Sequence, residues 1–368
     1  MKTQAADRNI PTLDGWRAVA ILMVIICHGM PRDSALAPLR IFGTHGVYIF
    51  FGISGFLITT RLLDEEARRG AVSLPEFYLR RAFRILPPAL FFLCAVALLG
   101  WVGLLERMSP KEWAVDAFFL QSYVGHFPGR SISTMHFWSL AVEEHFYLLF
   151  PSLLVFAGSR RLRRIVPVLL VAVPLWRWVD DRFVDLHGRA FPGIFADYRT
   201  DRICDLLLFG CGLALLLRDE RWRSRLKRWL SVPALSATAV VFALVVWKQP
   251  RGSLTIEGLC VAAFLAGTVL NPRSIYGRVL DSAPAQLIGR LSYSIYLWQQ
   301  LFFVTAYQSP QWHQRFPINA LLAAGCALAS YHLLEQPMIA LGRRVIERRR
   351  RRLLQPDPLP LAGGLRAG

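Results

Sequence analysis

The chain has 368 residues, 54% of them hydrophobic and 18% charged, with mean hydropathy +0.37 and a formal net charge of +18. A composition so apolar and so sparsely charged excludes an ordinary soluble enzyme of this length and defines an integral membrane protein embedded in the lipid bilayer. No nucleic-acid partner is implied, because the basic clusters are short segments pinned between apolar stretches, where attraction to anionic lipid head groups accounts for them.

In chain order, apolar stretches near the length of about 20 residues that crosses hydrocarbon predict spans at 14–32, 43–62, 85–104, 138–157, 165–182, 203–218, 231–248, 256–271, 287–307 and 318–337. The expected fold is all-α, a polytopic bundle of about ten transmembrane helices forming one membrane domain over residues 1–340. From 341 to 368 a basic, disordered cytoplasmic tail is expected. The first span lacks a small-residue cleavage site and carries Asp14 and Arg17, so it reads as retained rather than as a signal peptide. Between the third and fourth spans, Lys111 to Leu120 is an amphipathic piece that fits either the interface or an extra helix.

With the N-terminus inside, thirty of the 43 Lys and Arg fall on the cytoplasmic side, giving the inner face +18 and the outer face zero. That asymmetry predicts both termini cytoplasmic and a multi-pass protein of the cell (inner) membrane. All six cysteines (Cys27, Cys94, Cys204, Cys211, Cys260, Cys326) lie in or beside apolar spans without metal-ligand spacing, so they read as packing residues and no metal site is expected.

Ionisable groups inside a span are costly and mark candidate functional positions. In the first span Arg17 and His28 are eleven residues apart, on one helical face and roughly 16 Å apart along the axis. They fit a snorkelling anchor and a helix end, or a general base near neutral pH with a cation below it. The second span contains Ser54-Gly55, which fits close helix packing or a hydroxyl facing a cavity. Ahead of the third, Arg80, Arg81 and Arg84 sit at the cytoplasmic surface and fit either a positive anchor or a phosphate-binding fork.

The fourth span opens with His136, Trp138, Ser139, Glu143, Glu144, His145 and Tyr147, which fit a polar interfacial belt or a reaction centre. Glu143 lies at a depth similar to His28, so a carboxylate–imidazole contact is expected there. The roughly 100° between Glu143 and Glu144 on the helix implies that they do not share a partner. Asp205, with Asp201 and Arg202 nearby, opens the sixth span and fits the same polar mouth, and Tyr296 is a further cavity candidate. Glu335 is expected to pair with a loop Arg.

Six stretches together resemble the membrane acyltransferase-3 family: Leu13-Asp-Gly-Trp-Arg-Ala-Val-Ala followed by His28; Gly46 to Ile58; Arg80-Arg-Ala-Phe-Arg-Ile-Leu-Pro-Pro88; Phe137 to Tyr147; Ser292 to Trp298; and Glu335-Gln-Pro337. They occur in family order across residues 13 to about 340. The resemblance implies an acyl-CoA donor, usually acetyl-CoA, taken from the cytoplasm, with a hydroxyl of a carbohydrate or glycolipid as acceptor, and no further cofactor. It carries the family's first-helix Arg and His onto Arg17 and His28, its basic donor-side motif onto Arg80, Arg81 and Arg84, and its fourth-span acid onto Glu143. Tyr48 stands where the family often has Asp, Gln299 where a His often follows Tyr-Leu-Trp, and the Arg preceding Asp205 is displaced to Arg202. Some relatives carry a soluble esterase-like domain after the membrane part, and this chain is expected to lack one.

The function expected from this resemblance is membrane-bound O-acyltransfer, with Glu143 orienting His28, His28 deprotonating the acceptor, and the arginines holding acyl-CoA phosphates. The competing expectation is a polytopic transporter or flippase using Arg17, His28 and Glu143 as a proton or substrate pathway.

Overall fold

Within hydrocarbon every backbone N–H and C=O needs an internal partner, which restricts a chain of apolar runs to helices. The computed structural model describes residues 10–31, 33–124, 131–186, 196–303 and 311–354. Among the described residues the helices of eight residues or more are α1 (Pro11–Gly29), α2 (Gly43–Arg69), α3 (Leu74–Trp101), α4 (Pro110–Ala117), α5 (Phe137–Val179), α6 (Asp205–Leu216), α7 (Glu220–Trp229), α8 (Val232–Lys248), α9 (Ser253–Leu270), α10 (Ala283–Gln299), α11 (Ile318–Ser330) and α12 (Gln336–Leu354). Pro in the first turn starts α1, α3 and α4, and in the last two Ser73 and Ser109 cap the helix by accepting from the backbone N–H of Glu76 and Glu112.

Among the described residues six helical segments are long and apolar enough to cross a bilayer, or seven if α7 and α8, bent by 78°, form one broken span. Length and apolarity therefore do not reach the expected ten. The shortfall has identifiable sources: α6 has 12 residues and α10 has 17, both too short for the criterion. At 43 residues, α5 would run about 65 Å, twice the hydrocarbon thickness. It breaks at Gly158 (φ 75, ψ 154), a conformation that suits glycine, just before Arg160, Arg161, Arg163 and Arg164.

Two boundaries differ from expectation in ways that matter. Because Ser73 caps it, α3 begins at Leu74, well before residue 85, so Arg80, Arg81 and Arg84 lie within the helix and not ahead of it. At the other end, the segment expected as a disordered tail is helical to Leu354. Arginine is a good helix former, and the charge of the run is partly offset where Arg350 Nε donates to Glu76 Oε1 at 2.6 Å. Residues 355–368 of that tail lie outside the described residues.

In the bundle α1 packs between α2 and α10, and α2 packs along α6. A Cβ on Gly55 would stand 1.9 Å from the Leu207 carbonyl oxygen, so only hydrogen fits and the two backbones touch. Gly55 thus supplies the close packing, which leaves the neighbouring Ser54 side chain for another partner.

Candidate active site

The α5 helix carries Glu143, Glu144 and Tyr147 within little more than one turn, and Arg81 of α3 reaches all three. Its guanidinium carbon stands 3.5 Å from the centroid of the Tyr147 ring, Nη2 is 3.2 Å from Glu143 Oε2, and Nε is 3.2 Å from Glu144 Oε1. Ser54 Oγ donates to Glu143 Oε1 at 3.0 Å, and the Tyr147 hydroxyl donates to Glu143 Oε2, also at 3.0 Å. Both carboxylate oxygens of Glu143 are therefore engaged. A flat guanidinium presents donors on more than one edge, so a single Arg bridges two carboxylates that adjacent helix positions splay apart. This corrects the expectation that Glu143 and Glu144 do not share a partner.

It also corrects the expected contact between Glu143 and His28: among the described residues no hydrogen bond joins them. His136 lies close enough to His28 to interact electrostatically, and Glu143 is seven residues further along α5, about 10 Å along the axis. Among the described residues, a hydrogen-bond partner of His28 is the residue that departs from the family pattern. His28 Nδ1 lies 3.0 Å from Gln299 Oε1, and Gln299 Nε2 donates to Gln300 Oε1 at 3.1 Å. In this arrangement the amide presents its oxygen to His28 and its nitrogen to Gln300. A carbonyl oxygen only accepts, so the proton sits on Nδ1 and Nε2 becomes the basic nitrogen. Gln299 is fully buried.

Around this pair the N-terminal end of α5 and the C-terminal end of α10 interlock. The Tyr296 hydroxyl donates to the His136 carbonyl at 2.9 Å, and Ser139 Oγ lies 2.6 Å from the Tyr296 oxygen. The His136 ring, packed against Phe92, Phe137 and Tyr296, is buried and neither of its nitrogens has a hydrogen-bond partner. Trp138 stacks on Tyr198, ring centroids 4.3 Å apart, and meets the edge of Phe51. Ser139 and Tyr296 thus lie at the His28 end of the bundle, whereas Ser54 and Glu144 belong to the Arg81 cluster.

Toward the other end, Arg17 contacts Asp14 at 3.5 Å and lies within electrostatic reach of Arg84 and Tyr147. Glu335 is buried, accepts from Ser294 Oγ at 3.0 Å, and feels both Arg84 and Arg17. Its hydrogen-bond partner is therefore a serine of α10, where a loop Arg was expected. The three α3 arginines divide: Arg80 binds Glu65 at 3.1 Å and Glu76 at 3.3 Å, Arg81 turns into the bundle, and Arg84 has no ion pair within 4 Å among the described residues. Asp205 joins neither group. Arg177 Nη2 donates to it at 2.7 Å while Arg177 Nε donates to the Arg202 carbonyl.

Arg202 itself turns to Asp180 and Asp181, and Arg199 bridges Asp180 and Asp201 at 2.9 Å each. Burial works against the Asp201 carboxylate, but Arg199, Trp176 and Tyr123 outweigh it and hold the group below the usual range. The network rivets the segment before α6 to the end of α5. Sequence reasoning missed Arg81 as the partner of Glu143 and Gln299 as the partner of His28; the replacement of the family's His by Gln was the available signal for the second.

A polytopic helical membrane protein with ion pairs and a hydrogen-bonded, part-buried histidine within its bundle is the class that fold and site define. The model of the acyltransferase domain of the acyltransferase-3 family matches residues 10–332, and the chain belongs to that family. It is 31% identical over 362 residues to the O-acetyltransferase OatA of Staphylococcus aureus, covering 90% of this chain and 58% of OatA. It is 30% identical over 383 residues to the putative peptidoglycan O-acetyltransferase YrhL of Bacillus subtilis, covering 95% of this chain and 57% of YrhL. The chain thus spans a little over half the length of these curated relatives. No solved structure matches it. Family membership does not favour the transporter reading.

Proposed function

We propose that the chain moves an acyl group, acetyl in the simplest case, from cytoplasmic acyl-CoA to a hydroxyl of a glycan presented on the far side of the cell membrane. The observation that carries this is His28, whose Nδ1 lies against the Gln299 amide and leaves Nε2 to act as the base, inside a chain whose named relatives are O-acetyltransferases. The YrhL name makes peptidoglycan the first acceptor to test.

In this reading ten crossings, with both termini cytoplasmic, result from counting α5 as two spans and the short α6 and α10 as crossings shielded by neighbours. Arg17 and Arg84 then lie toward the donor side and take acyl-CoA phosphates, since Arg80 and Arg81 are committed to carboxylates. The arm of the donor follows the α1 face over the rise of roughly 16 Å from Arg17 to His28. His28 Nε2 takes the hydroxyl proton as the acceptor oxygen attacks the thioester carbonyl. Collapse of the tetrahedral intermediate breaks the C–S bond, and the imidazolium returns the proton to the departing thiolate. Arg81 with Glu143, Glu144, Tyr147 and Ser54 forms the rigid polar wall between donor and acceptor ends.

The test compares acetyl transfer from acetyl-CoA to peptidoglycan fragments by purified wild type and His28→Ala, matched for folding, in detergent without any gradient. Transfer by wild type and its loss in the variant are expected. Undiminished transfer by the variant would refute the base role, and absence of transfer by wild type would refute the enzymatic reading for this acceptor.

A further inference from the structure

At the end of the bundle that holds His28, a cavity of about 310 Å³ opens between the segment after α3, the approach to α5 and the segment before α11. Its size falls at the lower end of ligand sites, which run from about 300 to 1,000 Å³. Glu106, Ser133, Gln311, His313 and Gln314 give it a polar lining and three leucines with Ile132 an apolar one; no Lys or Arg is among the described lining residues. A site for the phosphates of a CoA donor needs cations, and this lining supplies none. What it offers is a carboxylate, amides, a hydroxyl and an imidazole, which together accept from and donate to several hydroxyls at once. Trp312, between two lining residues and beside the His313 ring, is 71% exposed and presents a flat aromatic face of the kind that packs against the C–H face of a sugar ring.

A second observation connects the cavity with His28. Leu301, on its wall, follows Gln300 and Gln299 directly, and its carbonyl accepts from Gln314 Nε2 at 3.3 Å. Gln300 Nε2 is buried with no hydrogen-bond partner, as are both nitrogens of His136 and Thr134 Oγ1 next to Ser133. Unpaired buried polar atoms are costly, and Gln300 sits in the chain between Leu301 on the cavity wall and Gln299 against His28. On the transferase reading above, we infer that this cavity is the acceptor site and that it takes a neutral, polyhydroxylated ring such as an N-acetylhexosamine unit of a glycan, with its reactive hydroxyl directed past Gln300 to His28.

The test uses the full chain in detergent, acetyl-CoA as donor and a β-1,4-linked N-acetylglucosamine tetrasaccharide as acceptor probe. Glu106→Gln and Trp312→Ala should each raise the acceptor KM about fivefold or more with the KM for acetyl-CoA within twofold of wild type, and Trp312→Phe should restore the acceptor KM. Thermal unfolding midpoints matched to wild type guard against a folding defect, and the Phe variant serves the same end. An unchanged acceptor KM in both variants, with His28→Ala still inactive, would overturn the acceptor site and leave the transferase reading standing. A rise confined to the acetyl-CoA KM would also overturn it. No transfer by wild type to the probe would overturn both together.

Discussion

Replacing Gln299 by Leu keeps the side-chain bulk in a fully buried position and removes the acceptor for His28 Nδ1–H. The bond is 3.0 Å long between neutral groups. Leaving a buried donor unsatisfied costs about 1–3 kcal/mol, and its loss also frees the imidazole to adopt the tautomer that protonates Nε2 and is inert as a base. If that cost falls on the transition state, kcat drops about 5- to 150-fold. Because Gln299 is not placed against either substrate, both KM values should stay within about twofold of wild type. Gln299→Glu retains an oxygen that accepts from Nδ1 and should recover most of the rate lost in the Leu variant. The assay is steady-state acetyl transfer per folded protein, with both substrates varied. An unchanged kcat for Gln299→Leu, or equal losses in the Leu and Glu variants, would refute the tautomer argument.

Arg81→Ala strands two adjacent part-buried carboxylates and should lower the thermal midpoint markedly, while Glu143→Gln should lower it less because Ser54, Tyr147 and Arg81 still have an oxygen to bond. Arg84→Ala should raise the KM for acyl-CoA at least fivefold, whereas Arg80→Ala, which removes a partner of Glu65 and Glu76, should leave it within twofold; the reverse order would reassign the donor site. Asp201 has a depressed native pKa, so its contribution is present above the unfolded value of about 3.9 and is lost as pH falls through the lower native value. Arg199→Met removes a main cause of that depression and should move the onset of acid unfolding to higher pH, followed by circular dichroism. Gly55→Ala drives a methyl into the Leu207 backbone and should lower the yield of folded protein sharply, with Gly325→Ala, where space is open, as the neutral control.

Helix existence and the identity of the polar positions were legible in the sequence because apolar length and buried charge are local signals. Partnerships were not. His28 lies near His136, and Glu143 is seven residues and about 10 Å further along α5, so counting along the spans set their relative depth too coarsely, and the two residues face different neighbours on α10 and α3. The start of α3 was missed because hydropathy marks where a span becomes apolar, whereas the helix begins at the Ser73 cap, and the turns between them hold the three arginines. The number of crossings suffered from the opposite problem: α6 and α10 fall short of the length expected of a lone helix in lipid.

The backbone contact between α2 and α6 has a mechanical consequence. Gly55 against the Leu207 carbonyl, and Gly210 against the Gly52 carbonyl, bring the two main chains into contact at these points, so sliding one helix past the other means main chain colliding with main chain. The pair behaves as a fixed post. Ser54, carried on that post, sets the position of Glu143 and through it Arg81, so on the proposed transferase reading any opening that admits substrates has to come from the elements on the far side of the bundle.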